Sequence, residues 1–173
     1  MTAGCRFQWF VAAMLAAGCA SMTPSSQKAT ATLAPTAGNR TAGTVSFTPS
    51  GDRVRMLAKV TGLTPGAHGF HIHEKGDCSA ADAMSAGGHF NPTGKPHGNP
   101  AVGEHHGGDM PMLLADASGD AALDVTLDTV TLGDGPSSVV GRSVIVHKDP
   151  DDYKTQPTGN SGARVACGLI VAG

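Results

Sequence analysis

Short runs in which apolar residues take every second position, punctuated by glycine and proline, constrain this chain more than any other feature. In "AGTVSFTPSGDRVRMLAKVTGL" the pattern alternates through Thr44–Phe47, breaks at Ser50–Asp52 and alternates again through Val60. Successive side chains of a strand point to opposite faces, so this segment predicts a hairpin with one buried face. Comparable runs are "ATATLAP" from Ala29, "AHGFHIHE", "MPMLLAD", "DAALDVTL", "RSVIVH" and "ARVACGLIV". They amount to about eight strands with no convincing helix among them. The 24 glycines and 11 prolines supply the turns that such a chain needs. The expectation is an all-β fold, an eight-stranded Greek-key flattened barrel or sandwich, within one domain. A formal net charge of −2 argues against nucleic acid as a partner.

Regular patterning stops between Lys75 and Asp109. A structureless stretch of this length inside a compact domain is usually functional. All eight histidines lie between residues 68 and 147, at His68, His71, His73, His89, His97, His105, His106 and His147. Clustering of this kind points to metal binding.

In "HGFHIH", Phe70 and Ile72 should face the core together with His68, whose ring would brace neighbouring loops. His71 and His73 then project from the other face, two residues apart, placed to grip one ion. In "RSVIVH", Val144 and Val146 take the core face and Ile145 and His147 the other. A strand lying beside the fourth would bring His147 to the surface that carries His71 and His73. The loop adds His89, His97 and His106, with Asp109 three residues after His106. Three imidazoles and a carboxylate suit a tetrahedral zinc site.

The N-terminus reads as a targeting segment. Arg6 precedes "FVAAMLAAG" (Phe10–Gly18), a run of signal length and too short to span a bilayer. It ends at Cys19 in "LAAGCAS", which resembles a bacterial lipidation site; ordinary signal cleavage nearby is the alternative. Either reading exports the protein. The expected division is a signal peptide over 1–18, a small, polar tether over 19–28 and one folded domain over 29–173. Export permits disulfides, and the two cysteines of the mature domain, Cys78 and Cys167, are most simply one bridge, with two free thiols as the alternative.

The motifs "HGFHIHEKGDC", "GGHFNP", "KPHG", "HGGDMP", "GRSVIVH" and "GNSGARVACG" together resemble the copper–zinc superoxide dismutases, in the family's order and over most of the chain from about Ala29. The likeness is to the exported bacterial type, in the periplasm or anchored to the cell envelope as a lipoprotein. It implies dismutation of superoxide to O2 and H2O2 by one redox-cycling copper and one structural zinc per chain. His71, His73, His89 and His147 would bind copper. His89, His97, His106 and Asp109 would bind zinc, so His89 serves both ions and takes up a proton during turnover. Arg164 would attract and position superoxide. Asp151, with Asp152 as the alternative, resembles the carboxylate that links a copper histidine to a zinc histidine. Cys78 and Cys167 match the family disulfide, and His105 falls outside the ligand pattern, taken as exposed. The partner expectations are superoxide, a membrane reached through Cys19 and a homodimer. A non-enzymatic copper-carrying module on the same scaffold is the alternative function.

Overall fold

The structure is a computed structural model and describes Met1 and residues 27–173. Residues 2–26, which hold the expected signal segment, Cys19 and most of the tether, lie outside the described residues. Nine strands follow: β1 (Ala29–Pro35), β2 (Ala42–Ser50), β3 (Arg53–Thr61), β4 (Gly66–His68), β5 (Phe70–His73), β6 (Leu113–Ala115), β7 (Ala121–Leu127), β8 (Ser143–His147) and β9 (Arg164–Ala172). Seven form one antiparallel sheet in the order β5-β8-β9-β1-β2-β3-β7, and β4 pairs with β6. The large sheet curls into a half-barrel. Chain order places the β4–β6 pair between its edges, because β4 runs on into β5 and β6 leads to β7. The expected all-β architecture is present; one 3-10 turn, Met84–Ala86, interrupts the long loop.

The alternation seen in the sequence sets the core. β3 runs exposed, buried, exposed, buried from Arg53 to Val60, apart from half-buried Leu57. Val45, Phe47, Val54, Met56, Ala58 and Val60 pack in one cluster with Leu33, Phe70, Ile72, Val144, Val146 and Ile170. Burying a large aliphatic or aromatic side chain contributes about 1.5–3 kcal/mol, so this shared face is the main force that curls the sheet.

Two strand expectations need correction. "AHGFHIHE" is two strands that pair with different partners and meet at Gly69. A Cβ at Gly69 would lie 2.6 Å from Ser161 Oγ and 2.7 Å from Ser161 Cβ, so only glycine allows the 149–162 loop this close. In "MPMLLAD" only Leu113–Ala115 forms a strand.

β5 and β8 are neighbours, in antiparallel register Phe70↔Val146, His71↔Ile145, Ile72↔Val144 and His73↔Ser143. Phe70, Ile72, Val144 and Val146 face the core, as the alternation requires. Ile145 joins a second, smaller cluster with Ala83, Ala86 and Cys167 on the opposite face. That face is the floor of the candidate site, and loops 75–109 and 149–162 are its roof.

Candidate metal centre

His71 and His73 leave β5 on the non-core face, yet both are 0% exposed. The expectation that they project outward is correct about the face of the sheet and wrong about solvent. The loop after β5 folds back over that face and pairs with the open edge of the strand. Phe90 N donates to Ile72 O (2.8 Å) and Ile72 N to Gly108 O (2.9 Å). His73 bridges His89, and His71 bridges Asp109. The guanidinium of Arg142 stacks 4.3 Å from the Phe90 ring and fastens the same loop.

Two clusters result. The nitrogens of His71, His73, His89 and His147 lie within 4.8 Å of one another, and so do the ligand atoms of His89, His97, His106 and Asp109. All seven residues are buried. His89 belongs to both clusters, one through each ring nitrogen.

The hydrogen bonds decide which nitrogen is free. Asp151 Oδ2 takes His71 Nε2 at 2.6 Å, leaving Nδ1. His73 Nδ1 donates to Gly87 O (2.9 Å) and His147 Nδ1 to Gly162 O (3.2 Å), leaving Nε2 in each. His89 Nδ1 meets Asp109 Oδ1 at 2.9 Å, leaving Nε2. His71 Nδ1 and the Nε2 atoms of His73, His89 and His147 are all buried without a hydrogen-bond partner. A buried polar atom left unpaired costs about 1–3 kcal/mol. Four such atoms converging on one point fit a copper ion, for which imidazole is a suitable ligand. Fixing the ring through its second nitrogen is how proteins orient metal-binding histidines.

The other cluster fits zinc on different grounds. Asp109 Oδ2 accepts from Gly98 N (3.0 Å) and His106 N (2.9 Å). Its Oδ1 lies 2.9, 3.0 and 3.5 Å from the Nδ1 atoms of His89, His97 and His106. Three ring nitrogens exceed what one carboxylate oxygen accepts well, and His106 Nδ1 has no hydrogen-bond partner. Donors about 2.0 Å from a tetrahedral ion stand roughly 3.3 Å apart, close to this spacing.

Charge is arranged to match. Burial lowers the pKa values of His71 and His73, and brings His89 down to about 4 and His147 to about 3. At neutral pH these rings carry the lone pair that a metal needs. Burial also acts to lower His97, but its bonds to Asp109 and Asp151 outweigh that and raise it to about 9. Burial acts to raise both carboxyls, and the histidine bonds hold them well below the usual range. The second cluster therefore favours positive charge, which a divalent ion supplies when protons leave the rings.

Asp151 spans the two clusters, with Oδ2 on His71 and Oδ1 3.0 Å from His97 Nε2. Asp152, the alternative, is exposed and caps its own turn through Thr155. His105 is half-buried rather than exposed, because Nδ1 donates to His106 O at 2.7 Å; it belongs to neither cluster. His68 faces inward and is 3% exposed, with Nδ1 donating to His147 O at 2.8 Å.

Arg164 is the first residue of β9. Val146 pairs with Ala166 and His147 with Arg164, so Val165 is an extra residue on β9. This β-bulge sets Arg164 opposite His147. The guanidinium donates to Ala83 O (2.7 Å) and Gly87 O (2.6 Å) and is half-buried. Its charge contributes to the lowered values of His73 and His147. Cys78 and Cys167 form a disulfide with Cα atoms 5.8 Å apart, which ties the segment carrying Ala83 and Gly87 to β9.

Several positioning groups were not legible beforehand. Gly87 O holds both His73 and Arg164, and a backbone carbonyl has no residue signature. Gln156 clasps the backbone of His97, accepting from its N at 2.9 Å and donating to its O at 2.8 Å. Gly159 has φ +65°, and a Cβ there would overlap Asp151 Oδ1 and lie 2.6 Å from His97 Nε2. Gly159→Ala should displace Asp151 and weaken metal retention by about tenfold or more. Gly51 is the control, because it has the same φ and nothing within 4 Å. Gly51→Ala should cost only backbone strain, about 1 kcal/mol, and keep its metals. Competition with a chelator measures the difference, and equal metal loss in the two variants would discard the steric account.

Fold and site together define a β-barrel protein with two adjoining candidate metal sites that share one histidine. A family model described as copper/zinc superoxide dismutase (SODC) matches residues 41–170, and the chain belongs to that family. A solved structure titled "Crystal Structure Analysis of the clock protein EA4" is similar, with a TM-score of 0.77 and 37% identity, over 85% of this chain and 96% of that one.

Proposed function

We propose that the protein dismutes superoxide to dioxygen and hydrogen peroxide, holding one copper and one zinc ion per chain. The observation that carries this reading is the set of four unpaired buried nitrogens on His71, His73, His89 and His147, next to the half-buried cation of Arg164. Copper supplies one-electron redox cycling when bound, which zinc does not.

The residues supply the rest. Two superoxide ions and two protons give one O2 and one H2O2, so the site must attract anions and deliver protons. Arg164 draws the anion by charge and orients it by hydrogen bonding. His89 Nε2 is the atom placed to take and return a proton, because Nδ1 of the same ring is held on the Asp109 side. The zinc cluster fixes His89 and the loop that bears it.

A metal-loaded protein assayed with superoxide tests the proposal. Arg164→Ala should keep both metals and the fold while slowing turnover by roughly tenfold or more, with a weaker dependence on salt. Unchanged kinetics would show that Arg164 does not face the substrate. A copper-carrying module is the rival; it would bind copper and show no turnover in the same assay.

The proposal extends to location, in the bacterial cell envelope, exported and lipid-anchored through Cys19. Its support is the short apolar run Phe10–Gly18 directly before that cysteine and the small, polar residues after it. Buried acyl chains contribute about 0.8 kcal/mol per CH2, so a multiply acylated cysteine holds firmly where one chain does not. The protein should fractionate with membranes, and Cys19→Ser should release it in active form. Recovery of the unaltered protein wholly in the soluble periplasm, with its N-terminus beyond Cys19, would leave simple signal cleavage.

A further inference from the structure

A cavity of about 390 Å3 is lined by His68, whose ring bonds the backbone of His147, and by Lys148, the next residue in the chain. Its lining includes Arg40, Lys148, Asn39, Thr64 and His68, and contains no Asp or Glu. This is unlike the chain as a whole, in which 14 acidic residues outnumber 12 Lys and Arg. Among the described residues neither the Arg40 guanidinium nor the Lys148 ammonium has an ion-pair or hydrogen-bond partner; the Arg/Lys ion pair present is Arg55–Asp124, elsewhere on the barrel. An anion in this concavity would meet two positive side chains and no negative one.

The floor is buried and hydrogen-bonded. His68 is 3% exposed, and its ring is fixed by the 2.8 Å bond from Nδ1 to His147 O. Its Nε2 lies 2.8 Å from the Thr64 carbonyl oxygen and 3.3 Å from the Thr64 hydroxyl, so both ring nitrogens are held within the wall. Leu63 and Val165, at 5% and 6% exposed, add an apolar wall. A monatomic ion would leave most of the volume unfilled, whereas the size is that of small-molecule sites.

We propose that this cavity binds a small organic oxyanion, with its phosphate or carboxylate between Arg40 and Lys148 and its carbon frame against Leu63 and Val165. The site is distinct from Arg164, which does not line it. The proposal does not rest on the enzymatic reading, and a failure of either leaves the other standing.

The test is a titration of the full-length protein, loaded with zinc and with reduced, diamagnetic copper, followed through backbone amide NMR. Glycerol 3-phosphate and citrate serve as probes, with sodium chloride at matched ionic strength as the control. At least one probe should shift the amides of residues 38–41 and 62–64 saturably, with a midpoint in the millimolar range or below. The double variant Arg40→Gln, Lys148→Gln should weaken that midpoint by about tenfold or more. Both side chains are exposed, so the variant should keep its fold. Shifts confined to the neighbourhood of Arg164, shifts reproduced by chloride, or shifts indifferent to the double variant would each overturn the proposal.

Discussion

His147→Ala should lose copper and with it superoxide turnover, on the order of 100-fold or more, while zinc content stays near one per chain. His147 supplies one of four nitrogens that converge without a partner, and the residue is 4% exposed. Alanine removes the donor and leaves three rings around a space that water can enter. The zinc cluster shares none of its atoms with His147 and keeps its carboxylate, its three rings and both backbone bonds to Asp109. Metal analysis after copper and zinc supplementation, paired with the superoxide assay, reads both parts of the expectation. Loss of zinc with copper retained would mean that the two clusters are assigned the wrong way round.

Cys78→Ser should lower stability by about 4–5 kcal/mol on the chain-entropy account, because the bridge joins residues 89 apart. For a domain of this size that corresponds to a fall in Tm of roughly 10–20 °C. The effect should also reach the site. Cys167 packs with Ala83, Ala86 and Ile145, and Ala83 and Gly87 supply the carbonyls that hold Arg164. Gly87 holds His73 as well. Calorimetry on the metal-free and loaded forms would separate the two contributions. A variant with unchanged Tm would show that the loop is held by packing alone.

What could be read in the chain itself is what depends on neighbours in sequence. Period-two alternation assigned Phe70, Ile72, Val144 and Val146 to one face and His71, His73 and His147 to the other, because pleating turns each side chain opposite to the next. The spacing of His106 and Asp109 and the loop histidines marked a metal-binding segment, and the motifs carried the likeness to a family.

Tertiary structure alone decided the rest. β5 is buried on both faces because loops 75–109 and 149–162 cover its outer side, and nothing in "FHIH" encodes that cover. The need for glycine at position 69 is set by the approach of Ser161, 92 positions later by residue number. Arg164 stands opposite His147 through the extra residue Val165, a register shift that the pattern of "ARVACGLIV" does not reveal. The carbonyl of Gly87 that holds His73 and Arg164 belongs to a group every residue possesses. Local alternation follows from the geometry of one strand. The tautomer of each histidine, and so the nitrogen left to face a metal, follows from partners brought in by distant loops.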